Sequence, residues 1–214
     1  MTGIQAIITQ GTTDRIVRVI DVLLAASLAV ILAPIIAILC LVIWLHDGAS
    51  PIFVHWRIGR GGESFPCLKL RTMVPDAERR LEELLETDPD AAREWALDQK
   101  LREDPRITSL GAFLRKSSLD ELPQLFNVMV GQMSMVGPRP IVAAEVPRYG
   151  RYIRDYCRVR PGITGLWQVS GRNLLSYRRR VALDTLYSRN KSLAIDLLIL
   201  TRTVHAVVAR HGAT

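Results

Sequence analysis

The sequence predicts an α+β protein, mostly helical, in which one membrane-embedded helix precedes a small soluble domain with a β-hairpin and amphipathic interfacial helices. Three observations predict it: a single long apolar run near the N-terminus, two extended segments around a Gly-Gly turn, and helical periodicity through most of the remainder. The 214 residues suffice for one domain with an attached element, and 49% hydrophobic residues exclude a disordered chain. The three cysteines, Cys40, Cys67 and Cys157, have neither disulfide-framework nor zinc-ligand spacing, which suits a reducing compartment.

The membrane element comes first. From Val22 to Trp44 the chain runs 23 residues without a charge, about 34 Å of helix against a bilayer core of about 30 Å. The core helix of a soluble protein would show a polar face, and the apolar part of a signal peptide is shorter, about 7 to 15 residues. Pro34 sits near the midpoint, where it cannot donate to the Val30 carbonyl and its ring crowds that turn, so a kink is expected. Each half then reaches one leaflet only. Arg15 and Arg18 precede the run and Arg57 and Arg60 follow it, so flanking charge shows no asymmetry; composition leaves a span and a hairpin equally open. The expected division is residues 1–50, with the membrane helix over about 16–45, and residues 51–214.

Pro51 to Met73 reads as a hairpin, IFVHWRIG and FPCLKLRTM around a turn at Arg60-Gly61-Gly62-Glu63. Lys69 and Arg71, two apart, point to one face. Asp76 to Glu103 reads as one or two amphipathic helices interrupted near Asp88-Pro89. Pro123 marks a helix start, which puts Asp120 at or near the N-cap, with Leu122, Leu125, Phe126 and Met129 as the apolar face. Val136 to Pro140 forms a rigid loop. Amphipathic helices over Tyr177–Ser188 and Leu193–Arg210 close the chain, their apolar stripes facing lipid or core.

Charge is unevenly placed. Arg71 to Arg106 holds 11 acidic and 7 basic side chains, which leaves the rest of the chain at +11. The acidic segment reads as a solvated surface turned away from the membrane, and the basic remainder calls for an anionic partner. From Arg139 to Arg180 there are ten arginines and no lysine, a choice suited to bidentate phosphate recognition. Asp120 and Glu121 form the candidate carboxylate pair. Beside Arg115 and Lys116, they offer a place where an anionic donor, a divalent metal and an aspartate nucleophile can meet. Taken alone, Ser118-x-x-Glu121 also matches a capping box, a purely structural role. The four histidines lack metal or triad spacing and read as structural or exposed. There is no Walker A motif, no dinucleotide-binding glycine fingerprint and no Asp-x-Asp near Asp120. A membrane-tethered basic protein gripping nucleic acid or anionic lipid explains the arginines, but no nucleic-acid-binding signature is visible.

KLRTM from Lys69, DPRITSLGAFLRKSSLDELPQLFNV, GQMSMVGPRP and RPGITGLWQVSGR, in that order, resemble the bacterial sugar transferase family, the monotopic phosphoglycosyl transferases. The likeness covers Arg15 to Val208 and is strongest to members that initiate exopolysaccharides. Larger relatives add membrane helices ahead of this unit, so the chain is expected to be the catalytic part. The resemblance implies transfer of a hexose 1-phosphate, of galactose or glucose, from a UDP-sugar to undecaprenyl phosphate with release of UMP. In this family Asp120 would be the nucleophile that carries the phosphosugar, Mg²⁺ would assist beside it, and Glu121 would support proton and positioning work. Substrate contacts are expected from Lys69, Arg71, Arg115, Pro138, Arg139, Pro140, Arg160 and Arg172. The implied membrane helix is re-entrant, breaking at Ala33-Pro34, where small relatives often carry serine in place of Ala33. The implied location is the bacterial inner membrane with the catalytic domain, 51–214, on the cytoplasmic face. The implied partners are the UDP-sugar, undecaprenyl phosphate and membrane lipids, without nucleic acid and with a homodimer left open.

Overall fold

The computed structural model describes residues 3–98, 101–171 and 175–208. The apolar run lies in one long helix, α1 (Gly3–Asp47), with Pro34 inside it. The expected interruption is therefore not an end of helix: a proline removes one N–H and crowds one turn, and helical structure resumes on both sides. One stripe of α1 is buried, through Val17, Asp21 and Ala25, while Leu23, Val30, Ile31, Ile35, Ile38, Leu41 and Leu45 are exposed. That much bare apolar surface suits lipid, not water.

Both ends of the apolar run are fastened to the same folded unit. At the N-terminal side Asp14 pairs with Arg60 at 3.8 Å, and Asp21 accepts from Ser134 Oγ at 2.6 Å and Met135 N at 3.1 Å. At the other end Asp47 takes a two-pronged contact from Arg71 at 2.5 and 2.8 Å. Apolar packing repeats the pattern: Leu24, Leu28 and Leu32 join the main core, and Leu39, Cys40 and Ile43 pack with Ile52, Leu70 and Leu114. A folded domain occupies one side of a bilayer, so a segment held to it at both ends enters and leaves on that side. The architecture is α+β and monotopic.

The hairpin forms as expected, β1 (Ile52–Ile58) against β2 (Ser64–Leu70), joined by a short 3-10 turn in which Gly61 and Gly62 take φ of 75° and 84°. The acidic segment becomes α2 (Ala77–Thr87) and α3 (Pro89–Asp98); Asp88 between them accepts from the N–H groups of Asp90 and Ala91. Then come α4 (Ser109–Ser117) and α5 (Gln124–Met129). Because α5 begins only after Pro123, its buried apolar side is Leu125 and Val128; Phe126, expected inward, is exposed.

Two short parallel strands, β3 (Ser134–Val136) and β4 (Gly162–Thr164), cross behind the site, with α6 (Val146–Tyr149) and α7 (Ile153–Tyr156) between them. A Cβ on Gly162 would lie 2.1 Å from Gly137 N, and one on Gly165 2.1 Å from Gly137 O. Only glycine allows backbones this close. The chain continues through α8 (Leu166–Val169) to the two expected amphipathic helices, α9 (Tyr177–Asn190) and α10 (Leu193–Val208). The stripe on α10 is divided: Ile199 is buried in the core, whereas Leu197, Leu198 and Val204 are exposed.

Candidate active site

The carboxylate pair sits in the turn between α4 and α5. Helix α4 ends on Ser118, the single non-glycine residue at positive φ (58°) among the described residues. The left-handed residue reverses the chain, and a 3-10 turn over Leu119–Glu121 follows. Two sequence expectations are corrected here. Asp120 is not the N-cap of α5, a place taken by Pro123, and the capping box does not form because Ser118 closes α4 and Glu121 is drawn to Lys69. The capping-box explanation for the pair is thereby removed.

Beneath the turn lies the hairpin. The register pairs Phe53 with Lys69, His55 with Cys67 and Arg57 with Phe65, so His55, Arg57, Cys67 and Lys69 share one face. The free edge of β2 is held by Asn127 of α5, whose side chain accepts from Leu68 N at 2.9 Å and donates to Pro66 O at 2.7 Å. Lys69 Nζ lies 2.9 Å from Glu121 Oε1 and 3.5 Å from Asp120 Oδ2. Arg139 reaches Glu121 at 3.9 Å and lies over the Trp167 ring, 5.8 Å from its centre.

The Pro138-Arg139-Pro140 loop is clamped from both sides. Gly162 N donates to Pro138 O at 2.9 Å, Arg57 Nη1 donates to Pro140 O at 3.2 Å, and Ile58 N donates to Ile141 O at 2.8 Å. A small solvent-open cleft results, lined among others by Arg57, Lys69, Glu121, Arg139, Pro140 and Gln168.

The two carboxylates differ in state. Burial raises the Asp120 carboxyl above the usual range, with the Glu121 charge adding to it and Lys69 and Arg115 only partly offsetting it. Burial also works against Glu121, but Lys69, Arg139 and Arg57 outweigh it and hold that carboxyl low. His55 is pushed down to about 4 by burial and by the charges of Arg57 and Lys69. It is therefore neutral near pH 7, with Nδ1 placed 3.0 Å from Arg57 Nη2 as an acceptor.

Of the residues the sequence nominated, the fold brings Lys69, Asp120, Glu121, Arg139 and Pro140 together. Arg115 stands beside them, its Nε donating to Thr72 Oγ1 at 2.9 Å, and Pro138 contributes its carbonyl to the clamp. Arg71 does not join: the strand ends at Leu70, and the guanidinium fork closes on Asp47 instead. Arg160 is also diverted, its Nε donating to Gly131 O at 2.8 Å. Arg172 lies outside the described residues. Arg57, Gln124 and Gln168 were missed; hairpin register puts Arg57 on the same face as Lys69, whereas no sequence signal marked the glutamines.

Among the described residues no group of three His, Cys, Asp or Glu side chains forms a metal cage. The donor set of Asp120 and Glu121 suits a hard cation held by one or two carboxylates together with water and substrate phosphate oxygens, the usual manner for Mg²⁺.

Comparison with known proteins gives the family. The family model described as bacterial sugar transferase matches residues 12–210. The chain belongs to that family. As a bacterial sugar transferase it is 50% identical over 196 residues, 92% of its length, to the UDP-galactose-lipid carrier transferase of Erwinia amylovora, of which it covers 41%. Against the exopolysaccharide production protein ExoY of Rhizobium meliloti the identity is 47% over 196 residues, 92% of this chain and 87% of that one. A third relative, the undecaprenyl-phosphate galactose phosphotransferase of Salmonella typhimurium, is 47% identical over 199 residues and is 41% covered. The chain thus spans about two fifths of the Erwinia and Salmonella relatives.

Proposed function

We propose that this sugar transferase moves a hexose 1-phosphate from a UDP-hexose to undecaprenyl phosphate, at the cytoplasmic face of the bacterial inner membrane, and releases UMP. The observation that carries the reading is the unequal carboxylate pair under Lys69. Glu121 is pinned by a 2.9 Å ion pair with Arg139 nearby, while Asp120 is buried with a single long contact to the same ammonium. A carboxylate little engaged by donors keeps a lone pair for attack.

In the first half, an Asp120 oxygen bonds to the β-phosphorus of the donor. The bond from that phosphorus to the oxygen bridging the α-phosphate breaks, and UMP leaves with the electron pair. In the second half, a phosphate oxygen of undecaprenyl phosphate bonds to the same phosphorus and frees the Asp120 carboxylate. Arg139, Arg57 and Lys69 lower the repulsion between anionic reactants and stabilise the charge on the transferring group. Glu121 keeps Lys69 and Arg139 aimed into the cleft. Mg²⁺, held by Asp120 with Glu121 beside it, would neutralise phosphate charge there.

The acceptor phosphate hangs from a long apolar tail, so the reaction belongs at headgroup level, and a helix fastened at both ends to the domain supplies that position. A straight helix would separate Asp14 from Asp47 by about 50 Å, whereas a compact soluble part of this size, with a radius of gyration of about 15 Å, is only about 40 Å across. A bend at Ala33-Pro34 reconciles the two and makes the segment re-entrant.

Purified protein given UDP-galactose or UDP-glucose, undecaprenyl phosphate and Mg²⁺ should release UMP, and Asp120→Asn should lower the rate by about 10⁴-fold. With UDP-sugar alone, intact mass should show a phosphosugar adduct that Asp120→Asn lacks. An Asn variant as fast as the parent would remove Asp120 from the role.

A further inference from the structure

Arg160 was expected among the substrate contacts, yet its place in the fold is the flank of the membrane helix. The turn after α5 gathers two guanidinium groups. Arg160 Nε donates to Gly131 O at 2.8 Å. From α1, Arg18 donates through Nη2 to Met129 O at 3.0 Å and through Nη1 to Met133 O at 3.5 Å. Arg18 Nη2 is also 3.5 Å from the point where a Cβ on Gly131 would stand. Arg60, in the hairpin turn, is the third cation: its partner Asp14, at 3.8 Å, stands one helical turn before Arg18 on α1.

Two acidic groups face this cluster, and only one of them reaches a member of it. Asp14 pairs with Arg60 at the exposed rim, at 3.8 Å, and Asp21 is taken up by Ser134 Oγ and Met135 N. Among the described residues no carboxylate comes within ion-pair distance of Arg18 or Arg160. Among the described residues no acceptor takes either Nη group of Arg160. The level is set by sequence: Arg18 stands four residues before Val22, where the uncharged run begins, and Val130 beside the turn is 53% exposed. Guanidinium forks bordering apolar surface at headgroup depth fit a phosphate carried on a lipid.

We propose that Arg18, Arg60 and Arg160 form a lipid-phosphate site at the N-terminal flank of α1, separate from the cleft of Asp120. Two lipids offer this chemistry, a diacyl phospholipid such as phosphatidylglycerol and the polyprenol phosphate acceptor. The site rests on the membrane seating of α1 in the preceding reading and is independent of the chemistry at Asp120.

The test uses the full chain in phosphatidylcholine nanodiscs, with phosphatidylglycerol titrated in and, separately, undecaprenyl phosphate, and counts retained lipid by native mass spectrometry. Arg18 is left intact because its two carbonyl contacts hold α1 to the turn after α5, whereas Asp21 keeps this end of α1 fastened when the exposed Arg60–Asp14 pair is removed. Each arginine near a surface of this kind changes anionic-lipid affinity about fivefold, so Arg60→Gln with Arg160→Gln should weaken retention about 25-fold, and Arg160→Lys should weaken it less than Arg160→Gln. UMP release from UDP-sugar alone should stay at the parent's level. Loss of phosphatidylglycerol retention assigns the site to the diacyl lipid, and loss confined to undecaprenyl phosphate assigns it to the acceptor. Unchanged retention of both lipids overturns the site. Should the double variant not fold, Arg60→Gln alone, at an exposed turn, carries the same test with a fivefold expectation. A parent that retains lipid but releases no UMP overturns the transferase reading and leaves this site standing.

Discussion

The acidic helices α2 and α3 and the cleft around Glu121 are built from the same charged side chains, with opposite results. In α2, Arg79 pairs with Asp76 and Glu83, and Arg80 with Asp76; Arg93 pairs with Asp90 in α3. These side chains are open to water, Arg79 at 61% exposure, and α2 buries none of its residues. Around the cleft, Lys69, Arg57 and Arg180 face Asp120, Glu121, Glu145 and Asp184 with side chains 1 to 23% exposed. Where water screens the pairs, each is worth little; where it is excluded, each charge perturbs its neighbours and one carboxyl can be held ready for chemistry. Counting charges along a chain finds the first region more easily than the second.

The largest effect should come from removing the cation that the two site carboxylates share. Lys69→Met leaves Asp120 and Glu121 facing each other in a half-buried turn, and breaking such a pair costs about 3 kcal/mol. A lower melting temperature should accompany at least a 100-fold loss of UMP release. Parent-like values for both would place this cluster with the screened pairs of α2.

A smaller effect is expected behind the cleft. Asp184 is buried, accepts from Tyr149 Oη at 2.7 Å and lies 3.9 Å from Arg180 Nε. Burial pushes its carboxyl up to about 7, against the pull of Tyr149 and Arg180. An unfolded aspartate titrates near 3.9, so between these values the folded chain keeps a proton that the unfolded chain has released. Stability from this group is complete below about pH 4, declines as pH rises toward 7, and is flat above. Asp184→Asn should remove that slope and gain on the order of 2 kcal/mol relative to the parent at pH 8, with little difference near pH 4. Melting curves from pH 4.5 to 8 check it, and parallel slopes in parent and variant would show that Asp184 does not titrate in this range.

Much of the fold was legible because it is local. The uncharged run from Val22, the Gly61-Gly62 turn and the Asp88-Pro89 interruption each announce an element within a few residues, and the structure has all three. Asp120 and Glu121 were legible as a pair but not in their setting. A left-handed Ser118 turns an apparent capping box into the end of α4, and nothing in Ser-x-x-Glu spacing specifies that φ. Arg71 and Arg160 show the remaining difficulty. Strand alternation and arginine density place side chains on a face, but the acceptors that claim these two are a carboxylate 24 residues upstream and a carbonyl 29 residues away. Arg57 is the reverse case: it was not singled out for the site, yet the hairpin register puts it on the face that carries Lys69.

The smallest effect tests the other side of the comparison. Arg79 holds Asp76 and Glu83 at 2.5 Å each, contacts as short as any around the cleft. Distance alone would make this pair the stronger. Because the side chain is mostly exposed, water competes for every partner, and Arg79→Ala should leave both the melting temperature and UMP release at the parent's level. A melting curve and a rate measured beside Lys69→Met provide the contrast. A fall in melting temperature as large as that of Lys69→Met would mean that the acidic helices are fastened by charge rather than merely solvated by it, and exposure would then no longer separate the two regions.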